Sequence, residues 1–427
     1  MSCLLLRLMF TSKSLIVFSK KMSKLLTEYS AIVVMITSMM GASIYFTPVA
    51  FRFVGYVYGW GVIFLISSLT SFSLYCISYS AMKMPVGQTY SSLGVCISPR
   101  FKHVLDAFVI VNSLTANVCL YRYLSDLIVV AFPMLLPIWP DPETVRKGIV
   151  VILLIPFFIL SSHKNLSSLK YVSLAMIISI VYFIFLLVFY NLLFYPGRSS
   201  YEATSLANGF SFSIPIFITA MACQSNMVKV LNEMSSNSIG KIRFVSICCG
   251  IGGGLIYGSI GHLGYSLFGN RLNGDLLKVL ADRDSLINIQ LSHTIDRYLL
   301  SSRAAVYGCI LIFVGSFPMQ LNPLVTTILS VLPPGRRTDG TRIFLMTALI
   351  LLCFLLALVK DLSADLVISI AGATVTNFIS FFFPFAFFIS VRKEYAVSTV
   401  LGALCMIACL FSSVYMLVNI AMGKNGV

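Results

Sequence analysis

This sequence predicts an all-α membrane protein of about eleven transmembrane helices, each of about 20 residues. Two observations lead there directly. Of the 427 residues, 58% are hydrophobic and only 11% are charged, with a mean hydropathy of +0.93. Apolar stretches of spanning length also recur along the whole chain. A third observation is where the charges lie: basic residues collect in alternate loops, as they do in membrane proteins.

A soluble chain of this size needs a polar skin that this composition does not supply. The apolar stretches lie near 29–51, 56–82, 104–133, 148–162, 169–194, 207–231, 243–268, 301–332, 343–360, 364–391 and 395–421. Backbone groups cannot stay unpaired in lipid, so the spans must be helices or a closed barrel. The runs are uniformly apolar, without period-two alternation, which selects helices. Residues 1–23 mix apolar and basic residues without a cleavage site and read as a cytoplasmic tail. Residues 24–421 then form one transmembrane domain. Most connections are short; 269–299 is long, charged and expected outside, and 83–102 is expected in the cytoplasm.

The net charge of +15 does not mark a nucleic-acid partner. With the amino terminus placed in the cytoplasm, the inner segments hold eighteen of the thirty basic residues against four acidic ones, nearly the whole net charge. The partner implied is the lipid bilayer. None of the eleven cysteines falls in an expected outer loop, so they read as small apolar residues rather than disulfides. Asn165, in the chain's only glycosylation sequon, falls in an expected inner loop.

Two spans carry features that favour a break. In the first, Thr37, Ser38, Gly41, Ala42 and Ser43 cluster at mid-span, with Pro48 following. Glycine loosens the backbone and proline removes a donor. An interrupted helix frees backbone groups, which are tolerable only against protein, water or ligand. A half-helix amino terminus then suits a carboxylate. The same residues also fit an ordinary proline kink. In the sixth span, Ala222-Cys223-Gln224-Ser225-Asn226 is a polar patch inside an apolar run, expected to face a cavity or another helix. Two breaks five spans apart fit a five-plus-five inverted repeat.

Other features read as structural. Gly250, Gly254 and Gly258 on the seventh span let a second helix approach. Leu255 spoils a dinucleotide fingerprint there. Arg122 and Asp126 are spaced to pair, as are Lys229 and Glu233. Asp106 is expected at the inner interface, and His262 near the outer boundary.

Gly41 through Gly59 resembles the signature of the amino acid/auxin permease family, roughly G-[AS]-G-I-L-x-L-P-Y-A-F-x-x-x-G-W-x-x-G, with Gly41, Ile44, Pro48, Ala50, Phe51, Gly55 and Gly59 in register. Tyr90–Gly94, Cys223–Glu233, Phe317–Pro323, Gly372–Thr374 and Phe381–Pro384 resemble later family motifs in order. The similarity covers about Lys24 to Asn419 and is greatest to the sodium-coupled neutral amino acid transporter branch. It implies a LeuT-type fold with discontinuous helices 1 and 6, and secondary transport of amino acids. It places the substrate against Met40, Gly41, Ala42 and Ser43 and against Ala222, Cys223, Gln224 and Ser225. It aligns Thr37 and Ser316 with a coupling-ion site, for Na+ or H+, and implies no other cofactor. The chain departs from the family at Ser43, which replaces a glycine, and at Thr37, which replaces an asparagine. Gln224 and Ser225 stand near the family's histidine and proline. These departures leave sodium coupling, proton coupling and exchange all open.

No metalloprotease, Walker or nucleophile-elbow motif occurs, so neither an enzyme nor an ATP-driven pump is expected. A different-class alternative is an amino acid sensor of transporter fold that binds substrate without appreciable flux.

Overall fold

The computed structural model describes residues 26–84, 89–131, 142–163, 169–194, 202–204, 209–272, 276–281, 295–358, 364–392 and 397–421. The tail at 1–23, Asn165 and most of the 269–299 connection lie outside these residues.

The described chain is helical. It opens with α1 (Glu28–Met39), capped by the Thr27 hydroxyl, which accepts from the Ser30 amide. A 3₁₀ turn, Ala42–Phe46, leads into α2 (Thr47–Met82). Then come α3 (Phe101–Ala131), α4 (Pro142–Ser161), α5 (Lys170–Phe194), α6 (Phe210–Ala220), α7 (Gln224–Glu233) and α8 (Ile239–Phe268). The short α9 (Leu276–Ala281) precedes α10 (Ile295–Val331), α11 (Asp339–Ala357), α12 (Ala364–Ala373), α13 (Phe383–Val391) and α14 (Val397–Ala421). Among the described residues, eight helical segments are long and apolar enough to cross a membrane, or nine if the bent α12–α13 pair is one span. Residues such as Phe64, Leu192 and Phe411 leave large apolar side chains exposed, a surface that suits lipid.

Gly55 divides α2. Its φ of 79° lies in the left-handed region, and a β-carbon there would sit 2.6 Å from the Ala203 carbonyl oxygen. The amides of Tyr56 and Val57 donate to the Glu202 and Ala203 carbonyls at 3.3 and 3.0 Å, so the strap at 202–204 packs into that turn. Beyond it, α2 packs along α8. The glycines at 250, 254 and 258 make this approach: β-carbons there would collide with Ser71, Ser67 and Trp60. Ser67 Oγ also donates to the Gly250 carbonyl at 2.6 Å. The reading of these glycines as a packing face holds.

At one end, the lead-in to α1 is tied to the segment after α7. Leu26 and Met234 form an isolated parallel bridge. The Leu26 amide donates to the Glu233 carbonyl at 3.2 Å, and the Ser235 amide to the Leu26 carbonyl at 3.0 Å. Glu28 pairs with Lys241 beside it.

Candidate functional site

Three interruptions converge on one cavity of about 70 Å³. The first is where the sequence puts it. α1 stops at Met39, Met40 turns away at φ −64°, ψ 113°, and Gly41 is extended at φ −149°, ψ −171°, before the 3₁₀ turn begins. Three successive carbonyls are released, and each accepts from another helix. Ser38 takes Gln320 Nε2 at 3.0 Å, Met39 takes the Tyr257 hydroxyl at 2.7 Å, and Met40 takes Ser316 Oγ.

The second break separates α6 from α7 at Met221–Cys223. It is closed locally. The Met221 amide donates to Phe217 O at 3.1 Å, and the Cys223 amide to Gln224 Oε1 at 2.9 Å. Asn226 faces another helix: its Nδ2 donates at 3.3 Å to the Met319 carbonyl, which Pro323 leaves without its helical donor.

The third break, which the sequence does not announce, lies between α12 and α13. Thr374 departs from helix at φ −120°, ψ −99°, one turn Val375–Asn377 follows, and a π-helical turn Phe378–Phe382 leads into α13. The two halves differ in direction by 42°. Pro384 explains the wide turn. It cannot donate to the Ser380 carbonyl, which accepts Ser73 Oγ at 2.5 Å instead. The Phe383 amide shifts to Phe378 O, and the vacated Ile379 carbonyl takes the Tyr90 hydroxyl at 2.6 Å. Such π-turns often sit at functional sites.

The cavity is lined from all three. Met39, Gly41, Ala42 and Ser43 come from the first break, and Ala222, Gln224 and Ser225 from the second. Ile368, Ala371, Thr376 and Ile379 come from α12 and its bend. Asn112, Thr115, Ala116, Cys119 and Leu120 come from α3, Thr219 from α6 and Gln320 from α10. No lining residue is charged.

Six of the eight substrate-site residues read from the sequence therefore meet in this cavity. Met40 and Cys223 do not line it; both side chains are buried in packing. Thr37 also stands off the cavity, with its hydroxyl on the Val33 and Val34 carbonyls at 2.9 and 3.0 Å. Ser316 is tied to the first break through Met40 and to its own helix at Ile312 O, 2.8 Å. Gln224 is 1% exposed, and its Nε2 has no partner among the described residues. The α3 and α12 lining residues could not be found from the chain, because what selects them is the contact between helices far apart in sequence.

The ionisable side chains inside the spans stay away from the cavity. Arg122 binds Asp126 at 3.2 Å and the Ala357 carbonyl at the end of α11 at 3.1 Å, a structural tie. Asp106 is buried rather than interfacial. α3 begins at Phe101, a turn before the apolar run, so Lys102 packs inward and reaches Asp106 at 3.0 Å. Lys229 donates to Asn322 Oδ1 at 2.6 Å. His262 lies among the rings of Phe51, Tyr56 and Trp60, 5.9 to 6.5 Å away. Among the described residues no three His, Cys, Asp or Glu side chains are grouped to hold a metal.

A pattern for transmembrane amino acid transporter proteins matches residues 26–423. The chain belongs to that family. It is 23% identical over 366 residues to vacuolar amino acid transporter 5 of Schizosaccharomyces pombe, covering 83% of this chain and 82% of that protein. It is 25% identical over 318 residues to vacuolar amino acid transporter 6 of Saccharomyces cerevisiae, covering 71% and 66%. Human sodium-coupled neutral amino acid transporter 4 is 23% identical over 184 residues, covering 43% and 31%. The chain is thus a multi-pass membrane protein of a transporter family, with three of its helix breaks gathered around one uncharged cavity.

Proposed function

We propose that the protein is a secondary transporter that carries amino acids across its membrane by alternating access around this cavity. The observation that carries the reading is the junction of the first and second breaks at one uncharged pocket. The leading amides at Gly41–Ser43 have no helical acceptor behind them and suit a carboxylate. Gln224 Nε2 adds a donor beside them. The Ala222 carbonyl, past the end of α6, suits an ammonium group. The volume of about 70 Å³ holds about five water-sized groups, the scale of a small amino acid. Binding tension between the breaks then couples substrate release to rearrangement of the half-helices.

The proposal includes eleven crossings and the five-plus-five inverted repeat. The segment Ala42–Met82 has 41 residues, about 60 Å of helix and twice the bilayer core, so Gly55 divides it into two spans. Glu28–Met39 joins the part of that segment before Gly55 to make the first span, and Gly148–Ser161 supplies the eleventh. The amino terminus lies in the cytoplasm by the distribution of basic residues. The relatives named for the vacuole support a vacuolar membrane as the location. Coupling to Na+ would use lone pairs on the Thr37 hydroxyl, which donates within α1, and on the Ser316 hydroxyl, which donates to the Met40 carbonyl at the first break.

Uptake of radiolabelled amino acids into proteoliposomes, with sodium and pH gradients imposed separately, tests this. Saturable uptake driven by one gradient is expected; no saturable uptake of any amino acid overturns it, and saturable binding without flux makes the protein a sensor instead. Gly41→Val sharpens the site. Its β-carbon meets nothing nearer than Met39 O at 3.9 Å, and its backbone is extended, so folding should survive while the cavity fills. Abolished uptake with an unchanged melting temperature is expected; normal uptake would remove Gly41 from the site.

A further inference from the structure

Beside the first and second breaks, side chains of α3 and the α12 bend line the cavity. There Thr376 Oγ1 donates to Asn112 Oδ1 at 2.6 Å. Thr376 spends its one hydroxyl hydrogen in that bond, so its oxygen keeps lone pairs that can accept. Asn112 keeps both Nδ2 hydrogens, which have no acceptor among the described residues. The pair therefore offers donors and an acceptor side by side.

Its position is fixed from behind. Asn377, buried next to Thr376, donates to Cys409 O at 3.2 Å and to the hydroxyls of Ser412 and Ser413 at 3.2 and 2.9 Å, all on α14. These bonds set the rotation of the bent helix, so Thr376 is held against the cavity while Asn377 is held against α14. Gln224, 1% exposed with its Nε2 unpartnered among the described residues, also lines the cavity as a second unspent donor.

From this we infer that the Asn112–Thr376 pair is a specificity subsite that reads the substrate side chain, and that the preferred substrates are small amino acids bearing a hydroxyl or a carboxamide. The inference rests on the reading of the cavity as an amino acid site. A hydroxyl or carboxamide both donates and accepts, and so completes the pair. An aliphatic side chain would cover the Asn112 amide without bonding it, which costs binding. A carboxylate or ammonium side chain would enter a lining without a single counter-charge.

The test compares threonine with valine, which have the same shape and differ only in the hydroxyl. In proteoliposomes the wild-type chain should take up threonine about fivefold more efficiently than valine, the factor that one hydrogen bond of ordinary strength supplies. Thr376→Val should bring that ratio to about one, whatever the level of uptake, and Thr376→Ser should keep it. Asn112→Leu, on a different helix, should lower the ratio as well, which serves if the first variant fails to insert. A wild-type ratio near one, or threonine and valine uptake falling together in both variants, overturns the inference. Should no amino acid be transported at all, the transport reading fails, and the subsite is tested by binding. Threonine should then raise the melting temperature of the detergent-purified protein more than valine does. Equal stabilisation, or none by either, overturns the subsite.

Discussion

The two breaks that face each other across the cavity are held in opposite ways. At the first, the carbonyls of Ser38, Met39 and Met40 are taken by Gln320, Tyr257 and Ser316, all from α8 and α10. At the second, the chain closes on itself through Met221, Asn226 and the Gln224 carboxamide. The first break is thus a property of an assembly of helices, and the second a property of about six residues of local chain. Three ties from distant helices hold the first, whereas the second has one beside it, Asn226 Nδ2 on the Met319 carbonyl of α10.

Tyr257→Phe should separate the two most sharply. It strands a fully buried carbonyl, at a cost of about 1–3 kcal/mol, read as a lowered thermal denaturation midpoint in detergent. An unchanged midpoint would mean that the hydroxyl does not pin the break. Gln320→Met removes a half-buried bond to Ser38, so a loss of about 1 kcal/mol is expected, together with weaker uptake because Gln320 lines the cavity. Gln224→Met at the second break should lower stability less than Tyr257→Phe does, because two effects oppose. It leaves the Cys223 amide without its acceptor but also removes an Nε2 group that had no partner among the described residues. Its effect should appear as a raised half-saturation concentration for uptake. A large loss of stability there would erase the contrast between the breaks.

What the sequence discloses follows the same division. Gly41 and Pro48 mark the first break because glycine and proline act on their own backbone. The polar run from Ala222 to Asn226 marks the second because polar atoms in an apolar span need a reason. The bend at Thr374 has no such local mark. Its cause is distributed over Pro384, ten residues on, and over Ser73, Tyr90 and the α14 serines that satisfy what Pro384 and the π-turn vacate. The eight helical segments long enough to span, among the described residues, were legible as apolar runs, since hydropathy is local. Which faces of α3 and α12 meet the cavity was not, since periodicity cannot say which neighbour a face will meet. Asp106 shows the limit at small scale: its burial depends on where α3 starts and on Lys102 turning inward.

The bridge between Leu26 and Met234 has a consequence for motion. Both of its hydrogen bonds use the backbone of Leu26, so it draws nothing from side-chain identity and is indifferent to most substitutions. It fastens the first residues of α1 to the last residues of α7, each the half-helix on the far side of its own break from the rest of the span. Two segments joined at their tips, each with its own break at the cavity, are coupled through backbone alone. Under the alternating-access proposal, the two half-helices move together at that end while the bridge holds.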